Sequence, residues 1–338
     1  MKVDSRKNRD DTLIVGSNTS KAHPMTPRPP GWQTISTPYE QLRLLNGEGG
    51  LALSRDNRLL YVTREEDVLV VDTTRGAVVH QYDFVRAPEV AGTSHDGRFL
   101  YARGLLGSAI QVVDTQQHTV ERGYEIGVLS GGMHVSQDGL RLHVAARESR
   151  DNADGALLII NSATQTLVDK IHIGKNPEGI ASHPTHPYDY ILCAGLQGKD
   201  NGVYAVNTLT REVIHIPING ERGYIAISHD GSLLFVAQHH TRRINVIDTL
   251  SHQWLCELIV EWPPTHLAVS HDGKWLYVLS SDSRVGVFST ATLKHVRTLD
   301  TGATLLRGIK TQLNNAVVWV AHRSEEPRLT VRTTPGQP

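Results

Sequence analysis

The stretch SRDNRLLYVTREEDVLVVDT, Ser54 to Thr73, recurs down the chain with its punctuation intact. It returns as SHDGRFLYARGLLGSAIQVVDT from Ser94, SQDGLRLHVAARESRDNADGALLIINS from Ser136 and SHPTHPYDYILCAGLQGKDNGVYAVNT from Ser182. Two more copies, SHDGSLLFVAQHHTRRINVIDT and SHDGKWLYVLSSDSRVGVFST, begin at Ser228 and Ser270. Each copy has a short apolar run, a Ser-x-Asp-Gly turn, an alternating run, a variable loop, a second apolar run ending in Asp-Thr or a relative of it, and a last alternating run. Asp-Gly pairs suit tight turns that need a positive φ, and β-branched and aromatic residues suit strands, so each copy predicts four strands.

The copies follow one another at roughly 40 to 47 residues, the period of propeller blades. A seventh copy, LRGIKTQLNNAVVWVAHRSEEPRLTVRTT from Leu306, supplies three strands, and the segment GWQTIST from Gly31 has no blade of its own. Pairing the two ends would complete the last blade and remove an exposed sheet edge. The prediction is an all-β, seven-bladed β-propeller over residues 31–334, with a Pro-rich, charged, flexible tail at 1–30 and a short C-terminal tail at 335–338.

The repeats resemble the YVTN family of β-propellers, which is similar to the haem d1-carrying propeller of nitrite reductase. The resemblance implies the fold over most of the chain and says little about activity. Two departures stand out: the export signal common in that family is absent, and the Asn that follows YVT there is replaced by Arg64, Gln238, Ser280 or His322.

Bulk properties narrow the partners. Among 338 residues, 34 basic and 35 acidic side chains leave a formal charge of −1, which gives no global pull toward nucleic acid or anionic membranes. The charge-alternating N-terminus and the lack of any long apolar run predict a cytoplasmic protein, and a monomer is expected. Cys193 and Cys256 lie far apart in apolar runs and read as reduced thiols.

In a propeller, the innermost strands begin on one face, here called the top, and the loops between second and third strands reach that same face. His95, His229 and His271 fall in the opposite, bottom turns, and His134 and His143 fall inside strands; all five read as structural. The top set comprises Glu48, Glu89, Glu178, Tyr224, His266 and Arg307 at or beside the starts of innermost strands. Loop residues Arg64, Glu65, Arg103, Arg147, Glu148, Gln238, His239, His240, Arg242, Asp282 and His322 complete it.

Blade six lies between blades five and seven, so His240, His266 and His322 are expected to converge on one pocket, with Glu178 and Arg307 at its mouth. The reading makes His266, His240 and Glu178 the candidate catalytic residues. His239, His322, Arg307, Arg147, Glu89, Tyr224 and Gln238 are the candidate ligand-binding residues. Three imidazoles near carboxylates suit proton transfer or a divalent metal.

Phosphate-loop, dinucleotide and nucleophile-elbow motifs are all absent. Two functions remain. The first is binding of a small molecule or protein in the top funnel. The second is an enzyme there, a lyase or other tailoring activity, for which streptogramin lyases are a fold-level precedent. Resemblance to the haem d1 propellers adds a tetrapyrrole held by a top-face His, with arginines on its carboxylates.

Overall fold

The computed structural model describes residues 13–15, 34–36, 41–46, 50–64, 67–84, 88–104, 109–125, 130–147, 154–195, 200–218, 223–303, 306–312 and 317–322. All regular structure among them is β-strand. Six four-stranded antiparallel sheets follow the repeats in order, and a seventh sheet is shared between the two ends of the chain. The innermost strands are Leu51–Leu53, Pro88–Thr93, Ser130–Val135, Pro177–Ser182, Gly223–Ile227, Pro264–Val269 and Leu306–Thr311. Each touches the next, and the last touches the first, so the sheets close into a propeller ring.

The bottom turns explain the repeated Ser-x-Asp-Gly. In five blades the Ser hydroxyl donates to the Asp carboxylate two residues on, at 2.5–2.6 Å. Gly97, Gly139, Gly231 and Gly273 then take φ between 71° and 79°, and blade one manages with Asn57 at 59°. Blade four has Pro184 where the carboxylate should be. There His183 Nδ1 accepts the backbone N–H groups of Thr185 and His186, at 3.1 and 3.0 Å. Burial, and then the neighbouring His186, hold the His183 ring below the usual histidine value.

Packing between blades follows one rule. The large aromatic of a second strand shares one buried cluster with an aliphatic residue in the second strand of the next blade. Tyr61 meets Leu100, Tyr101 meets Leu142, Tyr190 meets Leu234, Phe235 meets Leu276 and Tyr277 meets Val318. Trp319 of blade seven meets Leu60 of blade one, which carries the rule across the closure. Gln312 reinforces that seam: its Oε1 accepts from Trp319 Nε1 at 3.0 Å, and its Nε2 donates to the Asn57 carbonyl at 3.1 Å.

The junction of blades three and four breaks the rule on both sides. His143 stands in the aromatic position and Asp189 in the leucine position. They meet at 2.6 Å between Nδ1 and Oδ2, both buried. Ser182, which has no turn carboxylate to bond, donates to the other Asp189 oxygen at 2.5 Å.

Closure differs in detail from the sequence reading. Thr34–Ser36, within GWQTIST, does lie in the closing sheet, but it pairs with Gln41–Asn46, a strand not assigned from sequence. Gln41–Asn46 runs parallel to Val317–His322 and takes the third place in the blade. Leu13–Val15, inside the stretch expected to be a flexible tail, also pairs antiparallel with Gln41–Asn46. The third strand expected in RLTVRTT lies outside the described residues.

The blade three–four exception is open to a double-mutant test. Replacing His143 by Tyr alone leaves a buried carboxylate without its partner and should cost about 3–5 kcal/mol. Replacing Asp189 by Leu alone orphans a buried imidazole, at about 1–3 kcal/mol. The double variant rebuilds the pair used at the other junctions and should return to within about 1 kcal/mol of the parent in urea unfolding. Simple addition of the two losses would refute the pairing.

Candidate functional site

The top mouth is built by a backbone device. In blades three, four, six and seven a register shift near the start of the innermost strand leaves one extra residue: Gly131, Glu178, Thr265 and Arg307. Such bulges re-aim a side chain relative to the regular alternation. Thr265 is therefore the counterpart of Glu178 and Arg307. His266 takes a place that is Gly132, Gly179 and Gly308 in other blades. Arg103, expected to line a loop, is nearly buried and donates to the carbonyl of the bulged Gly131 at 2.8 Å.

Around His266 the structure gathers an aromatic and basic cluster from blades five to seven. The Tyr224 ring, partly exposed, lies 4.0 Å from the His266 ring, and His239 approaches Tyr224 edge-on at 6.3 Å. His239 Nδ1 is placed against the Pro264 carbonyl, at 3.3 Å, one strand residue before Thr265. Arg307 is exposed and makes no hydrogen bond or ion pair among the described residues.

His266 is only partly exposed, and burial holds its ring far below the usual histidine value, at about 3. The neighbouring His239 and Arg307 push it in the same direction. The ring is thus neutral at physiological pH. Its Nδ1 is buried with no hydrogen-bond partner among the described residues. A proton there would be an orphaned donor, so the favourable tautomer carries it on Nε2 and presents an N–H to the funnel.

His240, His266 and His322, expected to share one pocket, differ in exposure: His240 is exposed, His266 partly exposed and His322 buried. In the tight turn after Gln238, His239 faces Tyr224, while His240 is exposed, with its ring 5.2 Å from that of His239. His322 is fully buried, because it is the last residue of a second strand, paired with Leu306, and lies under the mouth. Gln238 holds the equivalent place in blade five, is 3% exposed, and accepts from Thr241 at 2.9 Å to fix the turn. Residues in that register read as loop from sequence and are strand ends in the structure.

Glu178 lies across the ring near the Cys193 thiol, which its charge and, more strongly, burial push up. Arg147 ends its second strand opposite Gly155 and is partly buried. Glu89 pairs with Arg103 in backbone register, its side chain lying outside the description. Among the described residues, no group of three or more His, Cys, Asp or Glu is placed to hold a metal ion.

Lys310, deeper on the same strand as Arg307, was not picked out from sequence. The run LRGIKT shows no alternation once a bulge has shifted its phase.

No family model matches the chain. It is 26% identical over 298 residues to the seven-bladed beta-propeller protein Rv1057 of Mycobacterium tuberculosis, over 75% of this chain and 74% of that protein. Among solved structures, Kuenenia stuttgartiensis hydrazine synthase superposes with a TM-score of 0.68 at 16% identity, covering 86% of this chain and 98% of that one. Dihydro-heme d1 dehydrogenase NirN in complex with DHE follows at 0.61 and 15%, covering 79% of this chain and 60% of NirN. The structural likenesses establish a shared β-propeller fold.

The neutral state of His266 has two measurable consequences. Its imidazole NMR signals, assigned by loss in a His266→Asn variant, should show no titration between about pH 8 and 5. A midpoint near the ordinary 6.5 or so would contradict the burial described. Protonation is easier in the unfolded chain than in the folded one. The stability held by the neutral ring is therefore complete above about pH 6.5 and is lost as pH falls from there toward the folded value. His266→Asn should flatten that part of the acid-unfolding curve.

Proposed function

We propose that this protein binds a small molecule at the top mouth of its propeller, between the innermost strands of blades five, six and seven. The observation that carries this reading is His266: a neutral imidazole at a place other blades fill with glycine, braced by Tyr224 and open to the funnel on its Nε2 edge. Tyr224 adds an aromatic face, Arg307 a cation and His239 a second imidazole, the mixture of apolar platform and few placed polar groups that ligand sites use. Its repeats support a likeness to YVTN-type propellers. Cys193 and Cys256 as free thiols fit a reducing compartment, the cytoplasm, and the near-neutral charge fits the lack of nucleic-acid or membrane partners.

The second reading, an enzyme in the same funnel, draws on the names of hydrazine synthase and the dehydrogenase NirN, whose propellers this fold shares. The state of His266 argues against it as the acid–base group. An imidazole held at about 3 is too weak a base to take a proton near neutrality, where useful catalytic groups are tuned close to the working pH. Turnover would then fall to His239 or His240.

A thermal-shift screen of small metabolites, anionic, neutral and cationic, tests the reading. At least one should raise the melting temperature of the parent and lose that effect in His266→Ala, while His229→Ala in a bottom turn keeps it. Stabilising compounds that are all indifferent to His266, or no stabilising compound at all, would overturn it.

A further inference from the structure

Two cations stand along the innermost strand of blade seven. Arg307 is the bulged residue at the mouth and Lys310 lies three residues further down the channel; both are exposed. Neither makes an ion pair or hydrogen bond among the described residues. Lys310 is nonetheless enclosed by the ring, since burial alone lowers its pKa. Its charge is felt by His134 on the innermost strand of blade three, across the channel.

His134 is itself kept neutral. Burial holds it at about 4, with Asp189 opposing and His143 and Lys310 adding to the effect. Down this wall the channel therefore presents Arg307 beside neutral His266 at the top, and Lys310 facing neutral His134 below. A cation enclosed by protein, with no ion-pair partner among the described residues, attracts anions more strongly than one on an open surface.

We propose that the funnel ligand is a small organic dianion lying along the innermost strand of blade seven, one acidic group on Arg307 and the other on Lys310. This rests on the top mouth being the binding site. Strand rise sets the scale: three residues span about 10 Å at most, and the bulge shortens that, so the two acidic groups should be about 7–10 Å apart. The guanidinium can hold its carboxylate or phosphate in a two-point bond, while the ammonium acts as a point charge. Tyr224 and His266 border the upper end.

Isothermal titration of the full chain with glutarate, adipate and suberate tests the idea, against hexanoate, 1,6-hexanediol and 1,6-diaminohexane. One of the dicarboxylates should bind at least about tenfold more tightly than hexanoate. Arg307→Gln and Lys310→Gln should each cost about tenfold, while Lys310→Arg, which keeps the charge, should retain binding. Affinity should fall as salt rises from about 0.05 to about 0.3 M.

Dicarboxylate binding indifferent to Lys310→Gln, or weak binding of all three dicarboxylates, overturns the dianion proposal. If the neutral or cationic probe then binds in a His266-dependent way, the funnel reading survives that failure. If no probe of any charge responds to His266, both fail.

Discussion

Buried clusters that join an aromatic ring of one blade to an aliphatic side chain of the next hold this ring together. The join is made by Tyr61, Tyr101, Tyr190, Phe235, Tyr277 and Trp319, each fully or almost fully buried. Side chains of that size bury the largest apolar area available to a strand, and a closed ring lets each of them serve two blades at once. The last member, Trp319 on Leu60, is the contact that turns a stack into a circle. At one junction the rule is exchanged for a buried His143–Asp189 hydrogen bond with Ser182 as the third member. The exchange is conservative only because both partners changed together, since either polar group alone would be stranded in an apolar interface.

A rigid ring frees the mouth to vary. Bulges at the starts of four innermost strands turn Glu178, Thr265 and Arg307 out of the regular alternation, and His266 occupies a place that is glycine in blades three, four and seven. Enclosure by seven sheets then sets the chemistry. His134 and His266 are both driven neutral by burial, at about 4 and about 3, so the channel offers hydrogen bonds from its imidazoles and leaves positive charge to arginine and lysine. The same enclosure makes Cys193 an inert core thiol, its pKa pushed up by burial and by Glu178.

The strands, their order and the bottom turns were legible in the repeated Ser-x-Asp-Gly and Asp-Thr punctuation, because local hydrogen bonds fix those turns. The neutral charge balance and unpaired cysteines were equally plain. The mouth was less so. A one-residue bulge is invisible in a single strand of sequence, which is why His266 was aligned with Arg307 and Lys310 went unnoticed. His239 and His240 are neighbours in a tight turn, and only the turn's geometry decides which one faces Tyr224. His322 looked like a loop residue because it follows an apolar run, yet pairing with Leu306 keeps it inside the sheet. The closing strand Gln41–Asn46 lies outside every repeat, so no periodicity could announce it.

Both channel cations ride on the innermost strand of blade seven, whose neighbour Val317–His322 depends on Gln41–Asn46 from the other end of the chain. Hydrogen exchange of the Val317–His322 amides, compared between the full chain and a chain lacking residues 1–46, measures that dependence most directly. If the ends close the ring, these amides should be protected in the full chain and should exchange far faster after truncation, with the amides of blade three much less affected. Equal protection of Val317–His322 in the two chains would contradict closure by the N-terminal strand.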